Sequence, residues 1–357
     1  MKKPPLIADP DKVTPGWLSK VLQHAGYDVV VKSVNTRQIG TGQMGRCFLY
    51  TLELEGDERA PTSLVGKFNS TDPATLDMAG ETGVYASEVG FYRDLAADLP
   101  ISTPRCYFAD IDQEKRNFSL ILEDMSPASQ GDQMEGCSIS VTREAVSALA
   151  AMHAATWNDD SLQDFAWLQS LQPQQEDFYL GQQSATPEFL QRFAHRLEPE
   201  VVTLIERMVD NCQNLVTCLA EQPRALIHWD YRADNLLINE QQHPPAVTAV
   251  DWQTVMFGAP LQDVAYLVGA SLKTNVRREH EQALVTDYYK NVIEKGVTGY
   301  SLEQCRRGYQ LGSFSGLTMA VRAATMVVET ERGNEMFTTM ARRHARQILD
   351  LGADNLL

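Results

Sequence analysis

The stretch "GTGQMGRCFLYTLEL", residues 40–54, decides the fold class. Gly40, Gly42 and Gly45 stand in GxGxxG spacing, which serves both a dinucleotide-binding turn and a hairpin over nucleotide phosphates. The residues that follow separate the two. Phe48, Tyr50, Leu52 and Leu54 fall on one face, Thr51 and Glu53 on the other, and that period of two reads as a strand. A dinucleotide-binding turn has to open a helix instead. With "VVVKSVNTRQIG" ahead of it, the segment reads as strand, glycine loop, strand. The plainer alternative is an ordinary glycine hairpin.

Downstream, "SLVGKF" reads as a further strand and carries Lys67 among apolar neighbours. The next segment, "TGVYASEVGFYRDLAADL", has helical spacing, with Val84, Tyr85, Val89, Tyr92, Leu95 and Leu99 in one apolar stripe. Glu88 falls inside that stripe. A buried carboxylate is costly unless paired, so Glu88 needs a cation, and Lys67 is the natural one. Glu81, two turns earlier, is the other carboxylate on that face. Two more strands, "RCYFADI" and "FSLILEDM", lead through Glu123 and Met125 into the polar stretch "SPASQGDQMEG". That composition shift divides the chain into regions 1–125 and 126–357. Beyond it "TREAVSALAAMHAATW" is helical, and His153 in its stripe reads as a core histidine.

The chemistry concentrates in "LIHWDYRADNLLIN", residues 226–239. His228, Asp230 and Asn235 form H-x-D-x-x-x-x-N, and "AVTAVDWQ" returns as an apolar strand ending at Asp251. Two short strands of a hairpin would each carry a carboxylate near one end. Phosphoryl transfer needs such groups: one carboxylate to orient the attacking hydroxyl, a second carboxylate and an amide oxygen to hold Mg²⁺ on a nucleoside triphosphate.

"HWDYRADN" followed by "VDWQ" resembles the catalytic and metal-binding motifs of the aminoglycoside phosphotransferase and choline kinase superfamily. "EVGFYRDL", "LILEDM", "LAAMHAATW" and "GAPLQDVAYL" resemble its ecdysteroid kinase-like branch especially. The resemblance runs from about residue 30 to 350. It implies an α+β, protein-kinase-like two-lobed fold: an N-terminal antiparallel sheet plus helix, a hinge, and a mainly helical C-terminal lobe. It also implies roles. Asp230 would orient the hydroxyl or take its proton, with Arg232 directed at the γ-phosphate. Asn235 and Asp251 would bind Mg²⁺. Lys67, held by Glu88, would contact the phosphates of ATP beneath Gly40, Gly42 and Gly45. Main-chain groups near Glu123 and Met125 would hold the adenine. His228 reads as a structural hydrogen-bonder and Asp263 as a carboxylate bracing a loop. Two departures stand out: Trp229 replaces the family's usual glycine, and Asp251 is followed by Trp252 and Gln253. Asp251 and Asp263 are only 12 positions apart, too few for an activation loop, so a small-molecule kinase is expected and not a protein kinase. The rival reading is a catalytically silent nucleotide-binding or scaffold protein on the same fold.

Composition adds exclusions. A net charge of −16 repels nucleic acid and anionic membranes. The opening lacks the apolar core of a signal peptide and no stretch is long enough to span a bilayer, so a cytoplasmic location is expected. The six cysteines show no metal-ligand spacing and read as reduced thiols. Residues 158–200 hold eight acidic and two basic residues, with Phe165, Trp167, Phe178, Tyr179, Phe189 and Phe193. Acid plus aromatic suits a cationic or flat aromatic acceptor. The alternative is that these rings pack helices together.

Overall fold

The computed structural model describes residues 2–40, 44–114, 116–169, 172–326 and 329–357; Gly42 lies outside them. The chain divides into two compact units. The first comprises Met1–Leu99, Thr103–Pro127 and Asp251–Thr254, and the second Pro100–Ser102, Ala128–Val250 and Val255–Leu357. No described helix is long and apolar enough to cross a membrane. All six cysteines are free thiols.

The first unit opens with α1 (Pro15–His24), whose N-cap Thr14 accepts the Trp17 N–H while Pro15 takes the first position. The strands are β1 (Val29–Ile39), β2 (Gly45–Gly56), β3 (Ser63–Asn69), β4 (Cys106–Asp112) and β5 (Asn117–Glu123). They form one antiparallel sheet in the order β1-β2-β3-β5-β4. A strand therefore follows the glycine loop. β2 buries Phe48, Tyr50 and Leu52 and exposes Thr51 and Glu53, as the period of two requires. These join Leu18, Val21, Leu64, Phe68 and Ile121 in the core. A side chain at Gly45 would stand 2.9 Å from the Phe68 carbonyl oxygen and 3.4 Å from Lys67 Cε. Only glycine permits that approach of β3.

Two helices lie between β3 and β4. α2 (Pro73–Thr82) ends at Gly83, whose φ of +68° is left-handed, and α3 (Val84–Asp94) begins there. The expected helix is thus shorter than its apolar stripe. Leu95 and Leu99 lie beyond its end, half-buried, and Glu81 sits exposed on α2. Phe91, outside the expected stripe, is fully buried because it stacks on Trp252 with ring centroids 3.9 Å apart.

The second unit contains β6 (Ser129–Gln130), β7 (Ala225–Ile227), β8 (Leu236–Asn239), β9 (Ala246–Ala249) and β10 (Met256–Gly258). β8 pairs with β6 and β9, and β7 with β10. Its helices are α4 (Ile139–Ala155), α5 (Ala166–Gln169), α6 (Gln172–Leu180), α7 (Gln182–Phe193), α8 (Pro199–Asp210) and α9 (Cys212–Ala220), followed by α10 (Leu261–Ser271), α11 (Thr274–Glu294), α12 (Leu302–Met326) and α13 (Glu331–Asp350). Every residue of α10 is buried, as a helix apolar on all sides demands. α12 and α13 approach closely at Gly316, where a Cβ would fall 2.1 Å from the His344 ring. Burial pushes His344 down to about 3, so the imidazole in this core is neutral.

Candidate active site

In the first unit, Lys67 on β3 donates to Glu88 Oε1 on α3 at 2.7 Å and to Asp251 Oδ1 at 2.8 Å. The pairing expected of Glu88 is present, and Glu81 has no part in it. Glu88 is 1% exposed, and burial pushes its carboxyl up to about 7 against the pull of Lys67. Burial works against the Lys67 charge, yet Asp251 and Glu88 outweigh it and hold the ammonium well above its ordinary range. Asp251 adopts a φ of +65°, a sparsely populated conformation for a side chain of this kind. Gly40 has a φ of +71° at the end of β1, and Gly45 opens β2 over Lys67. Glu123 is the last residue of β5, with Oε2 accepting the Arg105 N–H, and Met125 follows, half-buried.

In the second unit the H-x-D loop runs from the end of β7 to a 3₁₀ turn at Ala233–Asn235, which leads into β8. Asp230 is held by three donors. Its Oδ1 accepts from Tyr266 Oη at 2.9 Å and from Arg232 Nε at 3.0 Å, and its Oδ2 accepts from Asn235 Nδ2 at 2.8 Å. Arg232 also pairs with Asp234. Burial opposes the Arg232 charge, but Asp230, Tyr266 and Asp234 raise it above its ordinary value. Burial likewise keeps the Tyr266 phenol protonated and able to donate. His228 is committed to structure: Nδ1 accepts the Asp230 N–H and Nε2 donates to the Val250 carbonyl.

Asp263 braces this loop from α10. Its two oxygens accept the N–H groups of His228 and Trp229, both at 2.7 Å, inside a fully buried pocket. That brace holds Trp229 at a φ of +65°, which explains the family's usual glycine there and costs tryptophan about 1 kcal/mol. Asp263→Ala would leave two buried N–H groups without acceptors. It is expected to lower the unfolding free energy by about 3 kcal/mol in denaturant titration, with Asp263→Asn costing less. An unchanged midpoint for Asp263→Ala would remove the brace.

Tyr266 was not singled out in the sequence. Its signal is the spacing from Asp263: three residues along one helix put both on the same face, one reaching the loop backbone and the other its carboxylate. The tyrosine ring lies against His344, 5.3 Å between centroids, which fixes its direction.

The aromatic-rich segment mostly packs. Phe189 and Phe193 are buried against each other, and Tyr179 bonds Ser315 and Gln262. All eight carboxylates of 158–200 are exposed, so they form a solvated face. Phe178 meets the edge of Trp229 at 4.9 Å, and the Arg322 guanidinium lies 5.4 Å from the Phe178 ring centre. Arg322 donates to the Gly181 carbonyl, and among the described residues no carboxylate lies within ion-pair distance of it.

Among the described residues no three His, Cys, Asp or Glu side chains gather to bind a metal by themselves. The Asn235 amide oxygen makes none of the bonds that its nitrogen makes to Asp230, and the Asp251 side chain is 33% exposed. Amide and carboxylate oxygens are the donor types Mg²⁺ takes when phosphates and water complete its shell, so the residues present fit that ion.

Solved structures share this architecture. Choline kinase from Cryptosporidium parvum Iowa II superposes with a TM-score of 0.56 at 10% identity, covering 95% of this chain and 94% of that one. Plasmodium vivax ethanolamine kinase gives 0.53 at 10% identity, with 90% and 83% covered. The ADP-bound aminoglycoside phosphotransferase APH(2'')-Ib gives 0.50 at 12% identity, with 92% and 99% covered. The fold is therefore protein-kinase-like, with an N-terminal antiparallel sheet and a mainly helical C-terminal part. Comparison with curated proteins finds no match. The model of the ecdysteroid kinase-like family matches residues 42–296, most of the chain and both motif-bearing segments, and the chain belongs to that family.

Proposed function

We propose that this chain is an ATP- and Mg²⁺-dependent phosphotransferase that moves a γ-phosphoryl group to a hydroxyl of a small molecule. The observation that carries the reading is the Asp230 carboxylate, fixed by Arg232, Asn235 and Tyr266 in an H-x-D-x-x-x-x-N loop. A carboxylate so restrained can orient a hydroxyl for in-line attack with little reorganisation. Arg232 keeps a cation beside it for the charge on the transferred group.

Region 1–125 would hold the nucleotide and region 126–357 the acceptor and the catalytic loop. Lys67, aligned by Glu88, would meet the phosphates, with Gly40, Gly42 and Gly45 allowing main-chain N–H groups to approach them. Glu123 and Met125 would offer main-chain groups to the adenine. Asn235 and Asp251 would hold Mg²⁺, which when bound neutralises charge on the triphosphate. For the acceptor, the ring pair Trp229–Phe178 with Arg322 beside it supports a flat, apolar alcohol over an amine.

The test is untargeted. Wild type and Asp230→Asn are incubated with Mg-ATP and a metabolite extract, and products are compared by mass. A species heavier by one phosphoryl group, formed only by wild type, is the expected result. Equal products from both proteins, or Mg-ATP failing to bind at all, would overturn the proposal.

Tyr266→Phe removes one of the three donors and leaves the ring packing intact. It is expected to lower kcat about tenfold, the worth of one hydrogen bond to a charged group, with KM for ATP unchanged. A change confined to KM would show that Tyr266 acts elsewhere.

A further inference from the structure

The second unit contains a basic cavity apart from the residues assigned above. On α13, Thr339, Arg342, Arg343 and Arg346 recur at spacings of three, one and three, which places them on one face. The start of α11 adds Thr274 and Arg278, one turn apart. Together they line a cavity of about 590 Å³, with Glu198, the N-cap of α8, as the carboxylate in its wall. Four guanidinium groups line the cavity, with Glu198 in the lining and Glu200 and Asp350 paired to two of them from outside it, a local positive excess on a chain of net charge −16.

The partners of these arginines leave charge to spare. Arg343 gives its N–H groups to the carbonyls of Ala270, Gln133 and Met134, and no carboxylate of the described residues forms an ion pair with it. Burial pulls its pKa below the ordinary value, with Asp132 offsetting part of that. Arg278 shares Asp350 with the buried Arg277, which also pairs with the buried Glu281. Arg342 meets Glu198 at 3.4 Å with both side chains about half exposed, and Arg346 pairs with an exposed Glu200. Such exposed pairs are weak and exchange readily for a better anion. The first turn of α11 opens on the same cavity, and its N-cap, Lys273, makes no side-chain capping bond. The helix dipole adds to the positive field there.

We propose that this cavity binds a multiply charged oxyanion, held by Arg278, Arg342, Arg343 and Arg346 and by the hydroxyls of Thr274 and Thr339. Guanidinium groups bind phosphate and carboxylate oxygens in pairs, and a cavity of this size and charge favours an anion with two or more charges over a single monovalent one.

The test uses the full chain without Mg²⁺ or nucleotide, titrated calorimetrically with pyrophosphate and, separately, with citrate. Sodium chloride at matched ionic strength is the control. Wild type and Lys67→Ala are expected to bind at least one probe with the same affinity. Arg342→Ala/Arg346→Ala should weaken it by about tenfold or more. Thr339→Glu, which keeps every arginine and its partner, should abolish it. The probe bound more tightly identifies the anion as phosphate-bearing or polycarboxylate. No heat from either probe at millimolar concentration would overturn the proposal. So would binding that survives both cavity variants, or binding lost in Lys67→Ala, which would assign the anion to the nucleotide site.

Discussion

Asp230→Asn is expected to lower phosphoryl transfer by about 10²–10⁴-fold while the chain remains folded. The size follows from what the carboxylate does and the fold's tolerance from what surrounds it. Arg232 is a donor only, and Tyr266 points its hydroxyl at the same oxygen, so the asparagine oxygen would take the Oδ1 position. Its NH₂ would then face the Asn235 Nδ2, donor against donor, with Asn235 also committed to the Asp230 carbonyl. That mismatch costs about 1–3 kcal/mol, which the loop's other anchors, Asp263 and the His228–Val250 bond, can absorb. The melting temperature should fall modestly, and turnover should collapse because the negative charge that orients the hydroxyl is gone. Product formation and thermal unfolding measured on the same preparation check both halves. Near-wild-type turnover would remove Asp230 from the mechanism. Unfolding of the variant would make the loop's integrity, and not the charge, the cause.

How much of this was legible depends on the range of each interaction. β2 could be read because its alternation is local, and Glu88 because a carboxylate inside an apolar helical stripe announces a missing partner. The choice of Lys67 over any other cation needed only that the strand carrying it face the helix, as it does at 2.7 Å. The end of α3 at Asp94 was obscured because its apolar stripe continues in phase through Leu95 and Leu99, beyond the helix. Phe91 was invisible for a different reason. Its partner Trp252 lies far away in sequence, and no periodicity within one helix records a stacking ring from another segment. Tyr266 sat in a quoted motif but in a helix apolar on every side, where a tyrosine has no pattern to violate. The acids of 158–200 could not be placed from composition, which gives charge without direction; all eight are exposed.

Lys67→Ala is expected to destabilise the fold by about 3 kcal/mol at pH 8 and to weaken Mg-ATP binding by about 10–100-fold. Removing the ammonium leaves Glu88, almost fully buried, and Asp251 without the cation between them. Burial already pushes Glu88 to about 7 with Lys67 present, and without Lys67 its pKa must rise further. The sign follows from proton counting. An unfolded glutamate releases its proton near 4.5, so above that value the folded state of either protein holds a proton the unfolded state lacks, and stability falls as pH rises. In wild type that loss ends near pH 7, whereas in the variant it continues to higher pH. The stability gap between them should therefore widen above pH 7, by up to about 1.4 kcal/mol per unit, and stay flat between about 5 and 7. Urea titrations from pH 6 to 9 measure it. Adding Glu88→Gln to Lys67→Ala removes the buried charge and should restore most of the stability at pH 8. It should leave Mg-ATP binding as weak as in the single variant, because the phosphates still lack their cation. If the double variant regained nucleotide affinity together with stability, Lys67 would be a strut for Glu88 and nothing more. If binding stayed low while the fold recovered, Glu88 would be the residue that aims Lys67 and Lys67 the one that meets the phosphates.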